Sequence, residues 1–215
     1  MAHRAITLPP AAHRRQQRSA AKTWLWALLG AAVVFVFISN EVLLIADYPM
    51  YHHYRAQLIA DRRLFVPHAI FGTVALLSGP IQFSTRLRQR HLQLHRVLGR
   101  VYVVSVFFAA ILAITISWNH PLMVATSTQA GAWIICTAAA FLTAWNRQIA
   151  QHRQWMVRSY AVTFTFISLR ILSLWPRYWN LSDAANVLVI IVVTFGSVLL
   201  VDLGLNWNEL TTQRR

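Results

Sequence analysis

Two stretches of the chain nearly repeat each other: His95-Arg96 followed by Arg100 and Tyr102, and His152-Arg153 followed by Arg158 and Tyr160. Each opens a long apolar run. A neutral imidazole is the usual axial ligand of a b-type haem, and a bis-histidine site needs two of them at equal depth on facing helices. His95 and His152 meet that depth requirement if their helices run in the same direction. A haem between them would place the two ring nitrogens about 4 Å apart across the iron, given metal–nitrogen bonds of about 2 Å. Packed helices lie about 8–10 Å axis to axis, so the site also demands a locally widened gap. Tyr102 follows its histidine by seven residues and Tyr160 by eight, so each helix is expected to line one shared pocket with a polar ring below its histidine. Arg96, Arg100, Arg153 and Arg158 would surround the mouth with positive charge, suited to haem propionates, an acidic partner or lipid phosphate. Interfacial histidines are equally at home as amphipathic residues of the headgroup zone. His91, four residues before His95, would join a metal site with His95 and His152 only if the intervening loop were helical.

Other polar residues stand where a bilayer makes them expensive. Arg170 lies in the apolar context TFISLRILSLW, about five residues from a helix end. Its alternatives are snorkelling to the headgroups, pairing with Glu41, or binding an anionic ligand group such as a propionate or a carboxylate. Glu41, His68 and Arg170 fall at similar depth, and His120 is a candidate partner for His68 at that end. At the opposite end Asp202 is the carboxylate placed to meet Arg100, Arg158 or a histidine, with structural ion pairing as its expected role. His68, Gly72, Ala75 and Gly79 recur at three and four residues and give a narrow face for close helix packing. Gln82 comes just after Gly79-Pro80-Ile81, whose Gly-Pro pair is expected to interrupt the helix, and would either orient a ligand or cap the broken end.

The elements that must carry these residues are membrane helices. The 215-residue chain is 57% hydrophobic and 12% charged, with a mean hydropathy of +0.46, too apolar for a soluble domain with a polar surface to cover. Runs of about 18 or more apolar residues are needed to cross roughly 30 Å of hydrocarbon. Six candidates fall at 23–45, 65–83, 97–118, 124–145, 156–175 and 184–205.

The net charge of +14 raises a nucleic-acid reading, and the positions of the basic residues exclude it. With the N-terminus cytoplasmic, fifteen Lys and Arg residues fall inside against four outside (Arg55, Arg62, Arg63, Arg177), with Arg170 within a span. That asymmetry fits six spans with both termini cytoplasmic, and it disperses the charge among membrane exits rather than collecting it on one soluble face. Residues 1–22, with Pro9-Pro10 and five basic side chains, read as a disordered cytoplasmic tail resting on anionic lipid headgroups. Residues 23–207 form the transmembrane domain and 208–215 a short cytoplasmic tail. The first apolar run exceeds the usual 7–15 residues of a signal-peptide core and no A-x-A-like site follows it, so it is expected to stay as a helix. The one cysteine, Cys136, excludes an intrachain disulfide and a thiolate cluster. Trp24, Trp26, Trp118, Trp145, Trp155, Trp175, Trp179 and Trp207 sit near span ends, where indole prefers the headgroup layer.

Several of these segments together resemble a known family. His68 with Gly72, LLSGPIQF at 76–83, HRVLGRVYV at 95–103 and HRQWMVRSYAVTFTFISLR at 152–170 are similar to the motifs of a bacterial family of predicted multi-pass membrane proteins known only as a domain of unknown function. The resemblance covers residues 62–175 and implies a helical membrane domain. It makes His68, Gln82, His95, Arg96, Gly99, Arg100, His152, Arg153, Trp155, Met156, Arg158, Tyr160 and Arg170 the motif positions, and it implies no reaction. The stretch after Trp175, ending in NWNEL, departs from the tryptophan-rich pattern such a family would show, leaving the last span outside the inference.

The expectation is therefore an all-α, six-span bundle of a bacterial inner membrane. Its leading function is b-type haem binding or a redox-associated role through His95 and His152, with His68, Arg170, Arg100 and Arg158 as further cofactor contacts. Glu41, Gln82, Tyr102, Tyr160 and Asp202 form the remaining polar set. The competing expectations are a small-solute or proton-coupled transporter, with Glu41, His68, Arg170 and Asp202 as its polar route, and a non-catalytic assembly subunit.

Overall fold

The computed structural model describes residues 62–207 apart from 174, together with residues 24, 27, 28, 30–35 and 38. Its ordered elements are all helical: α1 (Arg62–Gln82), α2 (Thr85–Arg90), α3 (Leu92–Ile116), α4 (Met123–Trp145), α5 (Ile149–Leu172), a 3-10 turn (Pro176–Asn180) and α6 (Asp183–Leu205). The elements pack as α1 on α3, α3 on α4, α4 on α5 and, more lightly, α5 on α1. That closes a four-helix ring in which α3 and α5 are diagonal partners. Helix α6 lies outside the ring, against α4 and α5. From the first segment, Val33 packs against Leu76 of α1 and Ile167 of α5.

Four of the helices, α1, α3, α4 and α6, are long and apolar enough to cross a bilayer. Helix α5 has the length, 24 residues, but not the composition, because it carries Arg153, Arg158 and Arg170 and directs Ser159, Thr163 and Thr165 into the bundle, where all three are buried. Lipid tails are as apolar as leucine, so a membrane bundle gains nothing by turning apolar residues inward and holds its polar ones there instead. The sixth candidate, residues 23–45, falls mostly outside the described residues. Small residues complete the packing: Ala75, Ala109, Ala110, Ala125 and Ala140 are fully or almost fully buried, which lets backbones approach closely.

Local signals set the ends. Ser84 caps α2 by accepting from Leu87 N–H at 3.3 Å, and Ser182 caps α6 through Ala185 N–H at 3.3 Å with Asp183 in the first turn, where the helix dipole favours negative charge. The α4–α5 turn is sharper. Arg147 adopts φ 60°, with Gln148 N–H on Thr143 O at 2.8 Å and Arg147 N–H on Ala144 O at 3.1 Å, a Schellman cap built without glycine. Asn119 (φ 62°) plays the left-handed role between α3 and α4, a conformation Asn tolerates well.

The Gly79-Pro80 interruption does not occur. Helix α1 continues through Pro80 to Gln82; the carbonyl that the missing Pro80 N–H leaves free, Leu76 O, accepts instead from the Tyr160 hydroxyl at 3.2 Å.

Candidate functional site

At the arginine-rich end of the bundle, α3 and α5 each begin with their motif histidine. His152 Nδ1 donates to Ala140 O at 2.8 Å, bridging the α4–α5 hairpin that the Arg147 turn creates. This bond holds the hydrogen on Nδ1 and leaves Nε2 as the lone-pair nitrogen, the arrangement in which histidines bind metals. His95 lies within electrostatic reach of His152, and its Nδ1 is buried without a hydrogen-bond partner. The two histidines thus stand on helices that are diagonal across the ring and not neighbours in it. His91 does not join them in a shared helix face: it is the break between α2 and α3 and is exposed. Among the described residues no group of three or more His, Cys, Asp or Glu side chains gathers as for a metal ion.

Below the histidines, Tyr102 closes the middle of the bundle. Its hydroxyl lies 2.8 Å from both Ser159 Oγ and Thr163 Oγ1, Trp133 Nε1 donates to Thr163 Oγ1 at 2.8 Å, and Thr137 Oγ1 sits 2.7 Å from Ser159 Oγ. Tyr102 and Trp133 are 0% and 1% exposed, so each polar atom had to be partnered. Sequence reading missed Trp133, Thr137, Ser159 and Thr163. For Thr137, Ser159 and Thr163 the signal was hydroxyl residues within two long helical runs; Trp133 carried none.

Tyr160 departs from the expected shared pocket. Its hydroxyl donates to Leu76 O at 3.2 Å and its ring lies against Gly79, where an added Cβ would overlap it. Of the small-residue face on α1, Gly79 alone meets a neighbour this way; a Cβ on Gly72 would meet nothing within 4 Å.

Arg158 Nε donates to Asp202 Oδ1 at 2.6 Å, and its guanidinium stacks over Trp155 at 4.8 Å. Arg158 thus serves the α5–α6 seam, not the mouth, and Trp155 packs against the core instead of acting as a headgroup anchor. Trp24, Trp118, Trp145, Trp175 and Trp207 are 58–75% exposed. Trp26 and the side chain of Trp179 lie outside the described residues. Arg100 is exposed and makes no ion pair among the described residues.

At the other end, His68 Nδ1 donates to Ala109 O at 2.9 Å, with the rings of Phe65 and Phe166 beside it. Arg170, half-buried, acts electrostatically on both His68 and Tyr178. Burial pushes the Tyr178 phenol above its ordinary range while the Arg170 charge pulls it back. Glu41, the expected partner of Arg170, lies outside the described residues. His120 is turned to its own loop, its Nδ1 accepting from Leu122 N–H at 3.1 Å.

A polytopic helical membrane protein with one histidine at each of three helix starts and a hydroxyl-lined centre is the class these features define. The chain belongs to the family described as "Predicted membrane protein (DUF2306)", whose model matches residues 65–204. The match extends beyond Trp175 and takes in α6, correcting the expectation that the last span stood apart. No curated protein and no solved structure matches the chain.

Proposed function

We propose that the protein is a redox-associated b-type-haem protein of the bacterial inner membrane, with His95 and His152 as the axial pair. The observation that carries this reading is the His152 Nδ1–H bond to Ala140 O, which orients the ring and keeps Nε2 free of hydrogen, beside a second imidazole on the diagonal helix. The residues suit the group: two imidazoles on diagonal helices, close enough for His152 to act electrostatically on His95, and Arg96, Arg100 and Arg153 exposed at the same end for propionate carboxylates. A bound haem supplies one-electron exchange at the iron. The protein's part is to hold both rings, while the Tyr102 network below fills the core and excludes water. His68 is held in the same way by Ala109 O, and with Arg170 it offers a further nitrogen and cation for the same chemistry at the opposite end.

The six-span topology with both termini cytoplasmic belongs to this reading, supported by the distribution of basic residues, and the same basic face would meet anionic lipid headgroups. Detergent-purified protein from haem-replete cells should show a Soret band and a pyridine haemochrome of the b type. Colourless protein that also fails to bind added hemin would overturn the proposal. C-terminal reporter fusions should be active only in the cytoplasm; periplasmic activity would remove the six-span arrangement.

A further inference from the structure

Leaving a buried polar atom unpaired is costly, and two such atoms occur at the arginine-rich end. Gln82 Nε2 and His95 Nδ1 are buried with no hydrogen-bond partner. Gln82 is 5% exposed, and its Oε1 lies 3.7 Å from where a Cβ on Gly99 would be. Gly99 follows His95 by one helical turn, so the amide sits at the α1–α3 junction about one turn along α3 from the histidine. An amide Nε2 is a donor only. It calls for an acceptor.

The surroundings restrict what carries that acceptor. Phe83 meets the Tyr160 ring edge-on at 5.7 Å, and Ile81 and Phe83 on either side of Gln82 are 43% and 38% exposed on the apolar outside of the bundle. A ligand reaching Gln82 from that side comes out of the bilayer. A carboxylate or phosphate would be held by the exposed arginines nearby, in water, and not by a desolvated neutral amide. We propose that Gln82 and His95 bind a ring carbonyl oxygen of a lipid-soluble quinone at the α1–α3 junction. The role of His95 rests on the haem reading, since a ring committed through Nε2 keeps its hydrogen on Nδ1 and becomes the second donor; the role of Gln82 does not.

The shared chemistry is a carbonyl acceptor, which a phospholipid ester also carries, so the experiment must separate the two. Full-length protein, haem-loaded and haem-free, is placed in nanodiscs of ester-linked or ether-linked phosphatidylcholine and titrated with radiolabelled decylubiquinone. One saturable site is expected in both lipids, weakened about tenfold or more by Gln82→Leu, the loss of one or two hydrogen bonds at about 1.4 kcal/mol per decade. On the unaltered protein, the same ring with methyl ethers in place of its carbonyls should bind at least about tenfold more weakly, a readout independent of how the variant folds. Equal binding of the two ring compounds, no saturable site, or binding seen in ether lipid only, which assigns the site to ester carbonyls, would each overturn the proposal. Quinone binding to protein that never takes haem removes the haem reading and leaves the Gln82 site; haem-loaded protein without quinone binding removes this proposal alone.

Discussion

The two histidine motifs look alike in sequence and do different work, and the cause is one residue of spacing. At about 100° per residue, Tyr102, seven residues after His95, returns to within about 20° of its histidine's face, whereas Tyr160, eight after His152, is turned about 80° away. Tyr102 therefore stays with the bundle centre and meets Ser159 and Thr163 on the diagonal helix, while Tyr160 swings onto α1 at Leu76 and Gly79. The arginines separate likewise. Arg100 at five residues is exposed; Arg158 at six reaches Asp202 on α6. A repeated motif thus supplies one helix that faces its diagonal partner and one that ties three neighbours together.

The comparison breaks most visibly at the histidines, where the two motifs should act alike. His95→Ala and His152→Ala are each expected to abolish the Soret band of purified protein, and the two losses should not add, since either removes the pair. A Soret band unchanged in one variant would show that the motifs are not partners.

Gly79 should come next, because it belongs to the Tyr160 side only. Gly79→Val is expected to cost at least about 1–3 kcal/mol through overpacking against the ring, read as a lowered detergent-phase melting temperature. Gly79→Val combined with Tyr160→Ala should recover part of that loss, whereas Gly72→Val, with open space around it, should be close to neutral.

The tyrosine hydroxyls give a finer contrast. Tyr102→Phe removes one hydroxyl from a buried network and should cost about 1–3 kcal/mol, and Tyr160→Phe, which loses one bond to a carbonyl, about 0.5–1.5 kcal/mol. Equal costs in unfolding titrations would mean that the central network is not cooperative. The smallest contrast lies between the arginines: Arg158→Met should destabilise by about 1 kcal/mol, since Asp202 is 38% exposed and keeps access to other partners, while Arg100→Met should fall within about 0.5 kcal/mol.

Much of the architecture was legible because a bilayer imposes simple rules. Length and hydropathy marked the helices, and the described α1, α3, α4, α5 and α6 fall within a few residues of their expected ranges apart from early starts at α3 and α5. Those starts moved because His95 and His152 lie inside the first turns and not before them. Helix α5 reads weakest by composition and sits within the ring, since its polar face is turned away from lipid. The pairing of Arg158 with Asp202 was among the expected combinations, but choosing it over Arg100 required knowing which faces α5 and α6 present to each other.

By itself the sequence determined that the chain is a helical membrane protein, where its helices run and which polar residues need an explanation, because each of these follows from local composition against one fixed apolar thickness. Only the tertiary structure decided that α3 and α5 are diagonal, that His152 is held by Ala140, and that Tyr160 needs a glycine on α1 while Tyr102 needs hydroxyls on α5. Those facts depend on helix rotation and neighbour order. Both are set by side-chain fit among segments far apart in the chain, which no local pattern records.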